Sequence, residues 1–339
     1  MSVQLIAEIG QAHEGSLGIA HSYIDALAET GVDAVKFQTH IAKAESSEFE
    51  PFRVKFSYAD ATRYDYWKRM EFTPEQWAGL KKHCEDKGLE FISSPFSNAA
   101  VELLEKLGVK RYKIGSGEVN NHLMLEKIGQ TGKSVLLSSG MSALQELDAA
   151  VALLQPFGNL LTLLQCTTAY PTQPHEWGLN VLAVLRERYQ LPVGFSDHSG
   201  DIYACLAARA LGAEVLEFHA VFDRRMFGPD APASLMIDQI KQLATGVRQI
   251  EQALHTPVDK TTNEAFQSLK QIFEKSLAVN KDLPAGHVLS IADLEAKKPK
   301  GHGIPADRFR EVLGRPLKVH KRAWEFLADV DIDKVNAPS

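Results

Sequence analysis

Short apolar runs alternate with longer segments whose apolar positions recur at helical spacing, up to about residue 255. The segment from Thr73 predicts a helix, because Thr73 suits the N-cap, Pro74 suits the first turn and Gly88 suits the end. Strands joined by helical crossovers predict an α/β fold, the closed (β/α)₈ TIM barrel of about 250 residues. A doubly wound open sheet is the alternative, but no glycine-rich dinucleotide loop follows the first strand. The predicted strands are 5–9, 34–38, 90–94, 111–115, 134–138, 161–166, 192–196 and 214–219.

Two parts of the chain break this alternation. Residues 39–70 are polar and aromatic and too long for an ordinary βα loop, which predicts an ordered segment covering the barrel mouth. Residues 256–272 are polar and predict a linker, and residues 273–335 predict a small β-clip module of short strands and turns. The predicted domains are therefore a barrel at 1–255, the linker, and a module whose small core favours docking onto another surface.

Composition narrows the classes of function. The net charge is −6, which gives no indication of a nucleic-acid or acidic-membrane partner. Three isolated cysteines argue against a disulfide framework and favour a reducing compartment. No apolar run approaches the roughly 18 residues of a membrane span, and the N-terminus has no signal-peptide pattern. We therefore expect a cytoplasmic protein without membrane or nucleic-acid partners.

Polar side chains occur at the carboxyl end of each predicted strand, where a (β/α)₈ enzyme carries its active site. Because the strands are parallel, we expect these side chains to meet in one concave mouth. The set at or just after the strand ends is Glu8, Lys36, Gln38, Ser94, Lys113, Ser116, Glu118, Ser138, Thr168, Tyr170, Ser196, His198, Glu217 and His219.

His198 and His219 follow two neighbouring strands separated by a predicted helix that ends at Gly212. Neutral imidazole is the commonest protein ligand for a divalent metal. Two ligands on rigid strands, with coordination left open, suit a catalytic metal. For either histidine alone, a hydrogen-bonded residue at the strand end is the simpler interpretation, but the pair predicts a metal site.

Lys36 and Lys113 stand on apolar strands, where a buried ammonium needs an anionic partner. The loop Gly115-Ser116-Gly117 allows its backbone close to an anion. Together with the serines, these lysines predict a phosphorylated small substrate beside a divalent cation. A Schiff base on one lysine, as in a class I aldolase, is the second interpretation.

The same strand ends resemble the sialic acid synthase family, also called the N-acetylneuraminate synthase or NeuB-like family. The most specific match is Tyr-Lys-Ile-Gly-Ser-Gly-Glu at 112–118, and the resemblance covers the barrel in order. The C-terminal module resembles the family's antifreeze-like (SAF) domain. The other matching stretches are 7–10 with His13 and Gly15, 35–39, 91–97, 137–141, 166–172, 196–198, 216–219 and 228–230.

The resemblance implies condensation of phosphoenolpyruvate with an N-acylated amino sugar such as N-acetylmannosamine, giving a nonulosonic acid and phosphate. It implies that Lys36, Lys113, Ser116, Ser138 and Ser196 hold phosphoenolpyruvate, with Ser94 beside them. Glu8, Glu118 and Glu217 would stabilise a cationic intermediate or transfer protons. Gln38, Thr168, Tyr170 and Asp230 would line the sugar site. His198 and His219 would bind Mn²⁺, with Mg²⁺ or Co²⁺ as alternatives.

Three departures from the family pattern concern the acceptor side. Thr168 stands where members usually carry Asn, and Phe218 where they carry Arg or Lys. Members also carry an Arg-Pro-Gly in the SAF domain, which reaches the sugar in the partner subunit, whereas this chain has Lys298-Pro299-Lys300. Lysine does not reproduce arginine's two-pronged hydrogen bonding. The precursors of legionaminic, pseudaminic and spore-coat-type sugars are therefore alternative candidates for the acceptor, beside N-acetylmannosamine.

The resemblance also implies a domain-swapped homodimer, with Lys298 or a neighbour near the partner's acceptor site. Two other functions stay open at this point. One is a metal-dependent aldolase or Claisen-type barrel that uses pyruvate or an acyl thioester. The other is a non-catalytic protein that binds sugar phosphates or ice.

Overall fold

The computed structural model describes residues 2–54 and 56–333. Contacts within it divide the chain into two compact units, and the division lies between Pro257 and Val258. Each unit has a hydrophobic core of its own. The predicted boundaries at 255 and 272 stay predictions, and part of the predicted linker is helical.

The first unit is a closed barrel of eight parallel strands, as the alternation predicts. Each strand pairs with the next one along the chain, and the last pairs with the first. A short ninth strand, β9 (Leu235–Met236), pairs in parallel with the end of the eighth. The barrel strands are β1 (Gln4–Gly10), β2 (Ala34–Thr39), β3 (Glu90–Pro95), β4 (Arg111–Ile114), β5 (Ser134–Ser138), β6 (Leu161–Cys166), β7 (Val193–Asp197) and β8 (Val215–Val221).

Helices follow the strands and pack their apolar faces around the barrel. In α4, Thr73 caps the helix and Gln76 completes the capping box, as the sequence predicts. No helix in the described part of the chain has the length and apolar character needed to cross a membrane. The helices of this unit are α1 (Leu17–Ala28), α2 (Ala42–Glu45), α3 (Arg63–Met70), α4 (Pro74–Asp86), α5 (Asn98–Leu107), α6 (His122–Gly129), α7 (Leu144–Leu154), α8 (Val181–Tyr189), α9 (Tyr203–Ala210) and α10 (Ile237–His255).

The register of the barrel places the polar strand ends beside one another. Glu8 on β1 is opposite Lys36 on one side and His219 on the other. Ser196 on β7 is opposite Glu217 on β8. An apolar layer fills the barrel interior, so that these polar groups lie at its carboxyl end. The layer consists of Ile6, Ala34, Ile92, Leu136, Leu164 and Val215.

Residues 39–70, which we call the covering segment, are described except for position 55 and include α2 and α3. They form a small core of their own around Tyr66, Trp67 and Met70, with Phe52 and Phe56 packed against it. Burial of these aromatic groups stabilises a segment that has little regular structure. As the sequence predicts, the segment lies at the barrel mouth, where several of its side chains line the cavity described below.

The second unit is small and rich in β-structure, as predicted. Its first α-helix is α11 (Gln267–Phe273), which spans the end of the predicted linker and the first residue of the predicted module. Strands β10 (Ser276–Val279) and β11 (Leu294–Lys297) pair antiparallel, and isolated bridges connect the remaining turns. Its core consists of Leu277, Val279, Leu283, Leu289, Ile304, Val312, Leu317, Leu327 and Ile332.

Candidate active site

A cavity of about 390 Å³ opens at the carboxyl ends of the barrel strands. Its wall contains every site residue predicted in the barrel, and the roles assigned to those residues stay predictions. The predicted residues in the wall are Glu8, Lys36, Gln38, Ser94, Lys113, Ser116, Glu118, Ser138, Thr168, Tyr170, Ser196, His198, Glu217, His219 and Asp230.

The floor of the cavity holds a buried ion-pair network, which we call the inner network, formed by Glu8, Lys36, Lys113, Ser196 and Glu217. Lys36 Nζ lies 2.9 Å from Glu8 Oε2 and 3.4 Å from Glu217 Oε1. Lys113 Nζ lies 3.1 Å from the same Glu217 oxygen, and Ser196 Oγ donates to it at 3.0 Å. Each charge is thus stabilised by an opposite charge, which buried ionised groups require.

The pKa values in the inner network follow from this pairing. Burial alone would raise the pKa of Glu8, but Lys36, His219 and Lys113 outweigh it and hold the pKa well below its usual range. Lys113 and Lys36 likewise lower the pKa of Glu217 against the effect of burial. Burial lowers the pKa of Lys113, whereas for Lys36 the two carboxylates overcome burial and raise the pKa. The ammonium group of Lys113 therefore holds its proton less strongly than that of Lys36.

Two oxygen atoms of the floor are buried without a hydrogen-bond partner in the described ranges, Ser138 Oγ and Glu217 Oε2. A buried polar atom without a partner costs free energy, so its presence at a concave site favours a polar ligand there. Ser116 Oγ accepts from the amide of Gly140 at 3.0 Å. A Cβ at position 140 would lie 2.5 Å from both Ser116 Oγ and Thr168 Oγ1, so glycine keeps these hydroxyls in place. Two ammonium groups and several hydroxyls together suit an oxyanion.

The two predicted histidines face each other, with ring centroids 5.2 Å apart. His219 Nε2 lies 3.3 Å from Glu8 Oε2. His198 Nδ1 lies 2.9 Å from the carbonyl of Thr167, and the ring of Tyr170 packs against His198 with centroids 4.2 Å apart. A hydrogen bond from Nδ1–H to the carbonyl fixes the ring orientation and leaves Nε2 available, the arrangement common behind metal-binding histidines.

The two imidazoles differ in protonation. Burial lowers the pKa of His219 despite the opposing charge of Glu8, which favours the neutral, ligand-competent form. Burial also acts to lower the pKa of His198, but Cys166, whose Sγ is 3.8 Å from Nδ1, and Thr167 outweigh it and raise the pKa to about 9. Metal binding at His198 would therefore release a proton.

The donor set fits an open divalent-metal site only in part. Among residues 2–54 and 56–333, no group of three or more His, Cys, Asp or Glu side chains is arranged to hold a metal ion. The protein offers two imidazoles, His198 and His219, with Glu8 beside them. A cation held here would depend on substrate or solvent oxygens for its remaining ligands, as catalytic metals often do.

The covering segment supplies most of the wall residues that sequence reasoning did not assign. Arg53 reaches across the mouth, where its guanidinium lies 4.1 Å above the ring of Tyr170 and Nη2 pairs with Asp230 at 2.9 Å. The aromatic content of residues 39–70 was the signal for a cover, but it did not identify individual side chains. The unassigned wall residues include Gln11, His40, Glu45, Glu50, Arg53, Val54, Phe56, Arg63, Tyr66, Trp67, Phe96, Met141, Cys166 and Pro229.

Gln38 and Glu118 lie on the side of the cavity nearest this segment. Gln38 Nε2 donates to Glu8 Oε1 at 2.6 Å and connects the inner network to Gln11. Glu118 accepts from Asn121 at 2.8 Å, and burial raises the pKa of its carboxyl group. Of the three glutamates predicted to act in catalysis, Glu118 is thus the one most easily protonated.

A family model described as the NeuB family matches residues 23–259. The chain belongs to the NeuB family. A second family model, described as the SAF domain, matches residues 274–333. The NeuB match contains most of the barrel, and the SAF match corresponds to the small β-rich unit.

Other NeuB-related proteins are similar over most of the chain. The N,N'-diacetyllegionaminic acid synthase of Campylobacter jejuni is 36% identical over 92% of this chain and 94% of its own length. The N-acetylneuraminate-9-phosphate synthase of Homo sapiens is 32% identical over 93% of this chain and 88% of its own. The crystal structure of N-acetylneuraminic acid synthetase from Leptospira borgpetersenii, in complex with citrate, superposes with a TM-score of 0.69 at 28% identity and covers 79% of this chain and 90% of that chain. The chain is accordingly an enzyme related to acid synthases.

The three departures from the NeuB-like pattern have different structural settings. Thr168 lines the cavity. Phe218 does not, because side chains alternate along β8 and Phe218 is buried in the core between barrel and helices. The substitution at 218 therefore leaves the cavity wall unchanged. Lys298 belongs to the second unit, where its Nζ lies 4.9 Å from the ring centroid of Phe273.

Proposed function

We propose that this enzyme condenses phosphoenolpyruvate with an N-acylated amino sugar and forms a nonulosonic acid and phosphate. The observation that carries the proposal is the inner network, with two buried lysines and the unpartnered Ser138 hydroxyl as hydrogen-bond donors in one floor. This floor suits the phosphate and carboxylate of phosphoenolpyruvate. The acid synthases among the relatives support the same reaction class.

In the proposed reaction, C3 of phosphoenolpyruvate forms a C–C bond with the aldehyde carbon of the open-chain sugar. Water adds at the resulting cationic C2, and the C–O bond to phosphate then breaks. Glu8 and Glu217, held ionised by the lysines, would stabilise positive charge at C2. Glu118, with its raised pKa, is suited to transfer a proton.

His198 and His219 would hold the divalent cation, for which Mn²⁺ is our first choice. When bound, such a cation supplies Lewis-acid polarisation of the acceptor aldehyde. Gln38, Thr168, Tyr170 and Asp230 would contact the sugar, since they lie in the cavity wall beyond the inner network.

The function is tested by mixing the enzyme with phosphoenolpyruvate, Mn²⁺ and a panel of N-acyl amino sugars. We expect phosphate release with at least one sugar and a product mass equal to that of the sugar plus pyruvate. Turnover of pyruvate or an acyl thioester without phosphoenolpyruvate would indicate another condensing enzyme. Sugar-phosphate binding without phosphate release from any mixture would indicate a non-catalytic protein.

We also propose a homodimer in which each SAF unit completes the acceptor site of the partner, with Lys298 near that site. Helix α11 and the residue before it expose Phe266, Leu269, Ile272 and Phe273 by about half or more of their surface. Exposed apolar groups that follow one another along a short helix favour association. A SAF unit placed over the partner's acceptor site would act as a lid and exclude water from the reaction.

For this assembly we expect a dimeric mass in solution and recovery of activity in mixed dimers. The two partners are a His219→Ala chain, which keeps its SAF unit, and a chain that ends at Pro257, which keeps an intact barrel. Co-expression should restore measurable turnover that neither chain has alone. A wild-type monomer that is active at every concentration would contradict the arrangement.

A further inference from the structure

Three residues of the cavity wall have no part in the proposed reaction and form a connected group beside Gln38. They are Gln11, which follows β1, His40, which follows β2, and Glu45, the last residue of α2. We call them the orienting triad. Gln11 and His40 are buried, and the side chain of Glu45 is 6% exposed. Their hydrogen bonds are therefore shielded from competing water.

The backbone before Gln11 explains how this residue joins the group. The pairing of β1 with β2 is irregular between Glu8 and Gly10, and Gly10 has a left-handed φ of 53°. An irregularity of this kind turns the side chains that follow it, and glycine accepts the left-handed conformation without strain. Gln11 Nε2 consequently lies within hydrogen-bond distance of both His40 and Gln38.

The imidazole of His40 is held in one orientation. Its ring stacks between Trp67 and Phe96, with centroids 4.1 Å and 4.6 Å away. Its Nδ1 lies 2.6 Å from Glu45 Oε1, while Glu45 Oε2 accepts from the backbone amide of Ile41 at 3.3 Å. Because a carboxylate only accepts hydrogen bonds, Nδ1 carries a hydrogen, and Nε2 of the neutral ring is then an acceptor.

The hydrogen bonds of the orienting triad have one consistent direction, which fixes the side-chain amide of Gln38. Gln11 Nε2 lies 3.2 Å from His40 Nε2 and also contacts Gln38 Oε1. These two acceptors are 3.2 Å from each other, so they converge on one amide nitrogen. That nitrogen has two hydrogens, one for each acceptor. Gln38 Oε1 therefore faces Gln11, and Gln38 Nε2 donates to Glu8 Oε1 at 2.6 Å.

The reversed orientation of the Gln38 amide is unfavourable at both ends. Gln38 Oε1 would face the carboxylate of Glu8, which cannot donate, and Gln38 Nε2 would face the amide hydrogens of Gln11. Each mismatch would leave a buried polar group without its hydrogen bond, which costs free energy. In the observed orientation, the second amide hydrogen of Gln38 is the group that remains available to a ligand in the cavity.

We infer that Gln11, His40 and Glu45 are positioning residues, which hold the amide of Gln38 as a hydrogen-bond donor to the acceptor sugar and to Glu8. None of the three has to touch the substrate. This inference rests on the proposed function, in which Gln38 contacts the sugar, and deepens it. It explains why a buried histidine and glutamate are kept in a wall where the proposed reaction does not use them.

Three variants test the orienting triad. Gln11→Glu keeps the shape of the side chain but replaces its two donor hydrogens by an acceptor. His40→Phe keeps a flat ring between Trp67 and Phe96 but removes both nitrogens. Each should raise the KM for the sugar about fivefold and leave the KM for phosphoenolpyruvate unchanged, because the ammonium groups of the inner network stay in place. Glu45→Gln no longer fixes which nitrogen of His40 carries the hydrogen, so it should act in the same direction with a smaller effect.

The decisive measurement repeats Gln11→Glu and His40→Phe in a Gln38→Ala chain. Residues that act through one shared group are not additive, so in this chain each should change the KM for the sugar by less than about twofold. If the double variants turn over too slowly for a KM, the dissociation constant of the sugar is measured by calorimetry instead. Gln145→Glu makes the same exchange at an exposed position on α7 and should have no effect.

Equal effects of Gln11→Glu with and without Gln38 would overturn the inference. Equal rises of both KM values would also contradict it, because they would indicate general damage to the cavity. A wild-type enzyme that turns over while Gln11→Glu keeps a normal KM for the sugar would reject the positioning role alone. Absence of phosphate release from the wild-type enzyme with every sugar would instead reject the proposed function.

Discussion

Replacement of His219 by alanine is expected to lower divalent-cation-dependent kcat/KM by at least about a hundredfold. Mutation of a residue that only hydrogen-bonds to a metal ligand already lowers metal affinity or activity ~10–100-fold, and loss of the ligand itself should cost more. His219 is buried beside His198 and Glu8, and its lowered pKa keeps it neutral. Turnover with and without chelator, together with the metal retained after gel filtration, measures the effect. The variant should retain less Mn²⁺ per chain than the wild-type enzyme.

The matched control for this variant is His175→Ala, since His175 is exposed. It should retain both metal and activity. Far-ultraviolet circular dichroism and a melting curve establish that the His219→Ala barrel is folded. Full activity of His219→Ala in the presence of chelator would reject the assignment of this pair to a metal.

Loss of the Lys113 ammonium is expected to raise the KM for phosphoenolpyruvate at least tenfold or to eliminate turnover. A charge-assisted hydrogen bond contributes roughly 1.5–3 kcal/mol, which corresponds to about tenfold or more. Lys113→Ala also leaves Glu217 with Lys36 as its remaining cation within ion-pair distance among the described residues. Breaking a buried ion pair costs about 3–5 kcal/mol, so the free energy of unfolding should fall as well.

The comparison variant for Lys113→Ala is Lys110→Ala, which removes the same charge from an exposed position just before β4. It should leave the KM for phosphoenolpyruvate unchanged. It should change the free energy of unfolding by no more than about 0.5 kcal/mol. Steady-state kinetics and urea unfolding measure the two effects. If Lys113→Ala kept a normal KM and a normal rate, the phosphate would have to bind elsewhere.

The barrel is predictable from the sequence because hydrophobic periodicity is a local property. The strands at 134–138 and 161–166 have the predicted limits, and β1, β2 and β3 differ from prediction by one residue at one or both ends. The strand-end side chains were predictable for the same reason, since parallel strands bring their carboxyl ends together. Which lysine pairs with which glutamate was not predictable, because this depends on the register of β1, β2, β4 and β8.

The residues of the covering segment were not predictable individually. The positions of Arg53, Arg63 and Tyr66 depend on aromatic packing around Trp67 and Phe56, which has no periodic signature in the sequence. The helix at the end of the predicted linker, Gln267–Phe273, was missed because its surroundings are polar and its apolar residues are exposed. In the covering segment, tertiary packing thus outweighs local pattern.

The separate aromatic core of residues 39–70 has a consequence for how such enzymes diversify. Because the core of this segment is separate from the apolar layer inside the barrel, changes in its cavity-facing side chains need not disturb the packing of the strands that carry Lys36 and Glu217. Exchange of this one contiguous stretch of the gene would alter its own share of the cavity wall, while the groups assigned to the shared three-carbon donor stay under separate constraint. Gln38, Thr168, Tyr170 and Asp230 lie outside the stretch, so a complete change of acceptor would need changes on other strand ends as well.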